Sequence, residues 1–289
     1  MSISFPLISI NGSVGGLLSP LDRGFAYGDG VFETCRIINK TVPLWDWHQD
    51  RLKRSCTQLK IPVDIDLLMA YQQQLLSLAA VEDGVLKVIV TRGSGGRGYG
   101  LPVQVAPTYC LIICPRITHP AHQLGVTVRV CDQRLAENPS LAGIKHLNRL
   151  DNVLARAEWQ DDSAAEGLLL NQAGNLIEAT ASNIFIVRNR ELLTPDLSRA
   201  GVAGVTRRII CEQLAPAMKL AIIETRLSIH DLEGADEVFI CNSINGIWPV
   251  TRLLDHTPGV FPVGEYTRQL QVALDDFILQ KSLQAGAAQ

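Results

Sequence analysis

Three features in chain order could do chemistry together: an amine, a carboxylate and a helix start suited to an anion. Lys145 stands in Gly143-Ile144-Lys145-His146-Leu147-Asn148-Arg149-Leu150, where a loop containing Pro139 and Gly143 enters a helical stretch. Glu178 is a lone acid between the turn Asn171-Gln172-Ala173-Gly174-Asn175 and the run Ala179-Thr180-Ala181-Ser182-Asn183. Gly204-Val205-Thr206-Arg207 opens a helical pattern through Ile209, Ile210 and Leu214, so its first backbone N–H groups have no helical acceptor. An amine for a carbonyl, an acid for a pyridine nitrogen and backbone donors for a phosphate are what a protein needs to hold pyridoxal phosphate.

The seven lysines can be compared one by one. Lys40, Lys53, Lys60, Lys219 and Lys281 fall in turns or on polar helix faces, where an ammonium stays hydrated. Lys87 lies in an apolar strand, but no carboxylate and helix start follow it in the same arrangement. Lys145 sits at a loop-to-helix junction, a position that can aim an amine into a cleft where burial would free its lone pair. A merely solvated lysine there is disfavoured by the positive end of the helix dipole.

The other features have ordinary explanations when taken singly. Glu178 is either a strand-end surface charge or a buried acid with a dedicated partner. Gly204 on its own reads as a Gly turn before a helix, Arg51 as half of a surface salt bridge, and Asn242-Ser243 as a loop. The segment Arg92-Gly93-Ser94-Gly95-Gly96-Arg97-Gly98-Tyr99-Gly100 contains a formal G-x-G-x-x-G, but Leu101-Pro102 follows where a dinucleotide site needs a helix. It reads instead as a mobile substrate loop carrying Arg97 and Tyr99, and Arg suits a dicarboxylate.

Composition narrows the partners. Net charge is -3 with scattered arginines, so nucleic acid and anionic membranes are not expected, and a small molecule is. No apolar run approaches the roughly 18 residues of a membrane span, and the first residues lack a basic n-region. Seven Cys without a C-x-x-C pair suit reduced thiols in a cytoplasm. No metal-binding or serine-hydrolase motif occurs, so no metal is expected.

These residues need elements to position them. Residues 3 to 44 read as an antiparallel meander: Leu7 to Ile10, the turn Asn11-Gly12, Val31 to Ile38, the turn Asn39-Lys40 and Val42 to Leu44. Helices are expected over Asp46 to Leu59 and Ile65 to Ala80, each near an Asp that could cap it. Strands follow over Val85 to Thr91, Thr108 to Cys114 and Val126 to Cys131, with a domain crossing around Pro115 to Gln123. The second half predicts a helix from Asn148 to Trp159, a hairpin across Asn171 to Asn175, strands over Ile184 to Val187 and Glu237 to Cys241, a helix after Gly204, and a last helix near Tyr266 to Leu283.

The chain resembles the fold type IV pyridoxal-phosphate enzymes, the branched-chain and D-amino-acid aminotransferase family with its lyase branch. The likeness covers almost the whole chain. It is carried by Gly24-Phe25-Ala26-Tyr27-Gly28-Asp29-Gly30-Val31-Phe32-Glu33, by His48-x-x-Arg51-Leu52, and by Lys145, Glu178, Ser182-Asn183 and Gly204-Val205-Thr206-Arg207. The resemblance implies a two-domain α+β chain: a smaller N-terminal α/β domain over 1–116, a linker over 117–124, and a larger C-terminal, mixed β-barrel-like domain with flanking helices over 125–289 that carries the cofactor lysine. It implies that Lys145 forms the Schiff base, that Glu178 holds the pyridine nitrogen, and that Arg51, the Val205 and Thr206 amides and the Ser243 region hold the phosphate. Arg97, Tyr99 and Tyr27 would bind substrate, in a homodimer.

Two segments, 88–99 and 138–150, match the lyase branch within that family. D-amino-acid aminotransferases usually have Arg-x-His in place of Arg97-Gly98-Tyr99 and Tyr in place of Phe32. Branched-chain enzymes usually have Tyr in place of Leu150. A transaminase of either kind is the alternative, and a binding protein that keeps the fold without the cofactor is a third.

Overall fold

Residues 5–79, 81–254 and 259–287 are described by the computed structural model, and they divide into two units. The first unit takes the chain up to Ile117, Ile144–Asn148 and the chain from Ile278 onward; the second takes Thr118–Gly143 and Arg149–Phe277. Lys145 therefore packs with the first unit, although the sequence division of 125–289 places it in the C-terminal half.

The first unit is a five-stranded antiparallel sheet covered by helices. Its elements are β1 (Leu7–Ile10), β2 (Ser13–Val14), α1 (Arg23–Tyr27), β3 (Gly30–Ile38), α2 (Trp45–Leu59), α3 (Ile65–Leu78), β4 (Asp83–Thr91) and β5 (Thr108–Pro115), with strand order β2-β1-β5-β4-β3. Strand alternation turns Val31, Cys35 and Ile37 of β3, Leu86, Val88 and Val90 of β4, and Leu111 and Ile113 of β5 onto a buried face, where they meet Leu52 and Cys56 of α2 and Leu68 and Leu75 of α3. Each fully buried Leu contributes about 2 kcal/mol of burial free energy.

The expected meander is not continuous. β1 pairs with β2 and β5, never with β3, because the Asn11-Gly12 turn returns the chain as the short β2. Nor is Val42 to Leu44 a strand. Asn39 and Lys40 turn the chain in the left-handed region, one Ile38–Thr41 bridge forms, and Leu44 then becomes the N-cap of α2. Asp46 consequently lies inside the first turn of α2, whereas Asp64 does cap α3 by accepting from Leu67 N at 3.0 Å. The start of the expected meander, residues 3 and 4, and Ala80 of the expected second helix lie outside the described residues.

The second unit is a mixed eight-stranded sheet. It contains a 3-10 turn (Pro120–Gln123), β6 (Val126–Leu135), α4 (Leu150–Arg156), β7 (Glu166–Asn171), β8 (Leu176–Ala179), β9 (Asn183–Arg188), β10 (Glu191–Pro195), α5 (Val205–Ile209), a π turn (Ile210–Leu214), α6 (Ala215–Ala217), β11 (Ala221–Thr225), α7 (His230–Glu233), β12 (Glu237–Asn242), β13 (Gly246–Leu253) and the start of α8 (Glu265–Ala287). The order is β11-β10-β9-β12-β13-β6-β7-β8; β6 runs parallel to β13 and β7, and β10 parallel to β11. Asn183 to Val187 is buried throughout. Ile184 and Ile186 enter one core, while Phe185 stacks on Phe239 with ring centroids 5.0 Å apart. The helix expected from Asn148 to Trp159 is confined to α4, because Trp159 turns back to donate its indole N–H to Ala164 O at 2.9 Å.

Candidate active site

In the first unit, β3 organises the cationic groups on its two sides. Its pairing with the Lys145 segment is explicit: Phe32 N donates to Lys145 O at 2.9 Å, Leu147 N donates to Gly30 O at 3.0 Å, and Val31 bridges His146. The half-buried Lys145 holds Nζ 4.5 Å from the centre of the Phe32 ring. Lys87 Nζ lies 5.2 Å from the same ring, because Lys87 faces Thr34 across the sheet on the side that carries Phe32.

On the opposite side of β3, Glu33 points into the buried face. Its carboxylate accepts from Arg51 Nε at 2.8 Å through Oε1, from Arg51 Nη2 through Oε2, and from His48 Nδ1 at 2.7 Å. Burial alone would raise this carboxyl, but the charge and hydrogen bonds of Arg51, with the His48 bond, outweigh it and bring the pKa down to about 2. Burial pushes His48 below the ordinary imidazole value, with the charges of Arg51 and Lys145 adding to that and Glu33 opposing it. A neutral His48 donates from Nδ1, and its buried Nε2 has no hydrogen-bond partner among the described residues. Arg51 is thus not half of a surface pair.

The loop that reads as mobile is anchored. Asp29 accepts from Arg23 Nε at 2.8 Å and from Arg92 Nε and Nη2 at 2.7 and 2.9 Å, and Arg92 also reaches Leu59 O and Lys60 O. Arg97 is exposed, and Tyr99 is 85% exposed with its ring 5.4 Å from that of Tyr27.

In the second unit, Glu178 lies on β8 and is only 4% exposed. Its Oε2 accepts from Val202 N at 2.8 Å, while Val202 O accepts from Asn183 Nδ2 at 2.8 Å. Val202 also pairs with Gly143, two residues before Lys145 in the chain. Gly201 sits at φ +86°, and a Cβ there would lie 3.3 Å from Glu178 Oε2. The 201–204 segment therefore joins the buried acid to the start of α5. There Gly204 is the N-cap and contributes no side chain, so the amides of buried Val205 and Thr206 have no side-chain cap. Ser243 is half-buried in the turn between β12 and β13, which Asn242 Oδ1 holds by accepting from Ile244 N and Asn245 N at 3.0 and 2.8 Å.

A second buried acid, Glu166, supports this arrangement. It accepts from Thr180 Oγ1, from Ser182 Oγ at 2.8 Å and from Ala181 N at 3.1 Å, and burial raises its pKa despite those bonds. Ser182 Oγ in turn accepts from Asn242 Nδ2 at 3.0 Å, so one chain of bonds connects the turn after Glu178 to the Ser243 turn. Sequence reasoning passed over Glu33 and Glu166. Glu33 carried a usable signal, since its parity within β3 matches Val31, Cys35 and Ile37, and an inward acid requires a partner. Among the described residues no group of three or more His, Cys, Asp or Glu is placed to hold a metal ion.

The chain belongs to the amino-transferase class IV family, whose pattern matches residues 30–253. Its fold is similar to that of 4-amino-4-deoxychorismate lyase from Pseudomonas aeruginosa, with a TM-score of 0.88 and 45% identity over 93% of this chain and 98% of that one. In sequence it is 35% identical to aminodeoxychorismate lyase of Vibrio harveyi, over 86% of this chain and 93% of that protein. It is also 31% identical to D-alanine aminotransferase of Bacillus licheniformis, over 90% of this chain and 92% of that protein.

Proposed function

We propose that this chain is a pyridoxal-phosphate-dependent lyase that converts 4-amino-4-deoxychorismate to 4-aminobenzoate and pyruvate in folate biosynthesis. One observation supports the cofactor most: a buried carboxylate, Glu178, is hydrogen-bonded to the segment that leads into a helix start with no side-chain cap. The residues present fit the group. A Cβ on Gly204 would lie 2.0 Å from Asn183 Oδ1, so a glycine there lets the backbone lie against Asn183, and the helix start it opens has no side-chain cap to compete with an anion. The choice of lyase rests on the likeness to the two lyases and on Arg97-Gly98-Tyr99.

Bound there, pyridoxal phosphate supplies an aldehyde for the substrate's amine and a protonated ring that takes up electrons from the carbon bearing it. Glu178 would keep a proton on the ring nitrogen, and Arg51, the Val205 and Thr206 amides and Ser243 would hold the phosphate. Lys145 anchors the aldehyde through its ε-amine. With substrate bound, the Lys145 amine would remove the proton from the substrate's amine-bearing carbon. The carbon–oxygen bond to the enolpyruvyl ether then breaks and the six-membered ring becomes aromatic. The Lys145 ammonium returns the proton to the departing enolpyruvyl group, which leaves as pyruvate. Arg97, Tyr99 and Tyr27 bind the substrate's carboxylates and cover the site.

Lys145→Ala is expected to abolish turnover, and borohydride reduction with peptide mapping should find the cofactor on Lys145 of the unaltered protein. Label on another lysine would refute the assignment. The 31% identity to a D-alanine aminotransferase supports transamination as the second reading. Incubation with aminodeoxychorismate, and separately with amino acids plus 2-oxoglutarate, decides between them by the product formed. A homodimer in the cytoplasm completes the proposal; the seven free thiols suit a reducing compartment.

A further inference from the structure

Five glycines in nine residues give Arg92–Gly100 the composition of a flexible segment, yet a single side chain gathers its tip. Arg23, 4% exposed at the start of α1, donates from Nη1 to Gly98 O at 3.2 Å and to Gly100 O at 3.3 Å, and from Nη2 to Tyr99 O at 3.4 Å. Its Nε is fixed on Asp29. The guanidinium thus serves three consecutive carbonyls that have no strand beside them, a task for which its rigid fork of donors is suited and a lysine is not.

The same side chain shapes the surroundings of the tip. Its stem lies where a Cβ on Gly95 would be 2.8 Å from Arg23 Cδ, so that glycine lets the loop close down. Its guanidinium carbon is 5.0 Å from the centre of the Tyr27 ring, which in turn meets Tyr99. The base of the loop is held separately, by Arg23 N donating to Gly93 O at 2.9 Å, Gly95 N to Leu21 O at 3.2 Å, and Arg92 to Asp29.

We propose that Arg23 is a positioning residue for substrate: it fixes the backbone of residues 98–100 and thereby sets the directions in which Arg97 and Tyr99 project. This rests on the reading above, in which Arg97 and Tyr99 meet the substrate's carboxylates. Arg23 itself is buried and directs its guanidinium to Asp29 and the carbonyls of residues 98–100.

Arg23→Met tests it, because the methionine keeps the stem while Asp29 keeps its two-point pair with Arg92 and no buried carboxylate is stranded. In the cofactor-loaded variant, KM for aminodeoxychorismate is expected to rise about tenfold, with kcat and the dissociation constant of pyridoxal phosphate changed by less than about twofold. Amide hydrogen exchange should accelerate at residues 96–101 and not elsewhere. An unchanged KM overturns the proposal whatever the exchange shows, and so does an equal loss of cofactor affinity. Arg23→Lys carries the same comparison if the methionine variant does not fold. If the unaltered protein fails to turn over aminodeoxychorismate, the functional reading falls, and exchange at residues 96–101 alone decides whether Arg23 holds the loop.

Discussion

At the scale of residues, the Glu33–His48–Arg51 cluster concentrates the pH dependence. Glu33 has an ordinary value of 4.5 and a folded value of about 2, so its ionised form is bound more favourably in the folded state. That contribution is fully present above pH 4.5 and is lost as pH falls from there toward 2; the shift corresponds to something of the order of 3 kcal/mol. His48 is depressed below 6.5, so between 6.5 and its folded value the unfolded chain binds the extra proton and acid favours unfolding. Stability is therefore expected to decline in two stages on acidification, first below pH 6.5 and again below 4.5. Urea midpoints measured across pH for the unaltered protein and His48→Gln check this: the substitution should flatten the upper stage and keep the lower one, reduced by the share that His48 contributes and carried by Arg51. A parallel shift of both curves would show that His48 does not titrate as its surroundings require.

At the scale of elements, most strands and helices are legible in the sequence, because alternation in β3, β4 and β5 and three-to-four spacing in α2 and α3 follow directly from which side is buried. What the pattern cannot give is pairing. Nothing in Leu7 to Ile10 says that β5, a hundred residues on, is its partner instead of β3, and α1 is a five-residue helix set by Asp22 and Gly28 with no periodicity to read. In the candidate site, Lys145, Glu178 and the Gly204 start were legible as residue types, whereas the link through Val202 was not, since it depends on a backbone amide. The start of α5 gives a sharp test. Gly204 has an ordinary φ of -62°, so alanine is tolerable as backbone, but its Cβ would displace Asn183 and break the 2.8 Å bond to Val202 O. Gly204→Ala is expected to cost about 1–3 kcal/mol in urea unfolding and to weaken pyridoxal phosphate binding by about tenfold or more in a titration. Pyridoxal without the phosphate should bind both proteins alike, because the loss is placed at the phosphate end.

At the scale of the whole molecule, one short helix exposes apolar groups that net charge does not explain. The seven-residue α4 buries Ala155 but leaves Leu150, Val153 and Leu154 at 74%, 59% and 55% exposure. Spacing of three and four puts these side chains on one side of the helix, so they form a stripe and not scattered apolar contacts. An isolated 31.6 kDa chain gains nothing from holding three aliphatic groups in water. A second copy seated on them would remove that cost, so the proposed homodimer predicts a contact there. Val153→Arg places a charge at the middle of the stripe, where burial against an apolar partner would leave it unpaired. Sedimentation is expected to show a dimer for the unaltered protein and a monomer, or a dimer weakened by about a hundredfold or more, for the variant, with the far-UV spectrum unchanged because the side chain is solvent-facing within one chain. A variant that sediments as tightly as the unaltered dimer would move the interface away from α4, to another exposed apolar group such as Leu17 and Phe25.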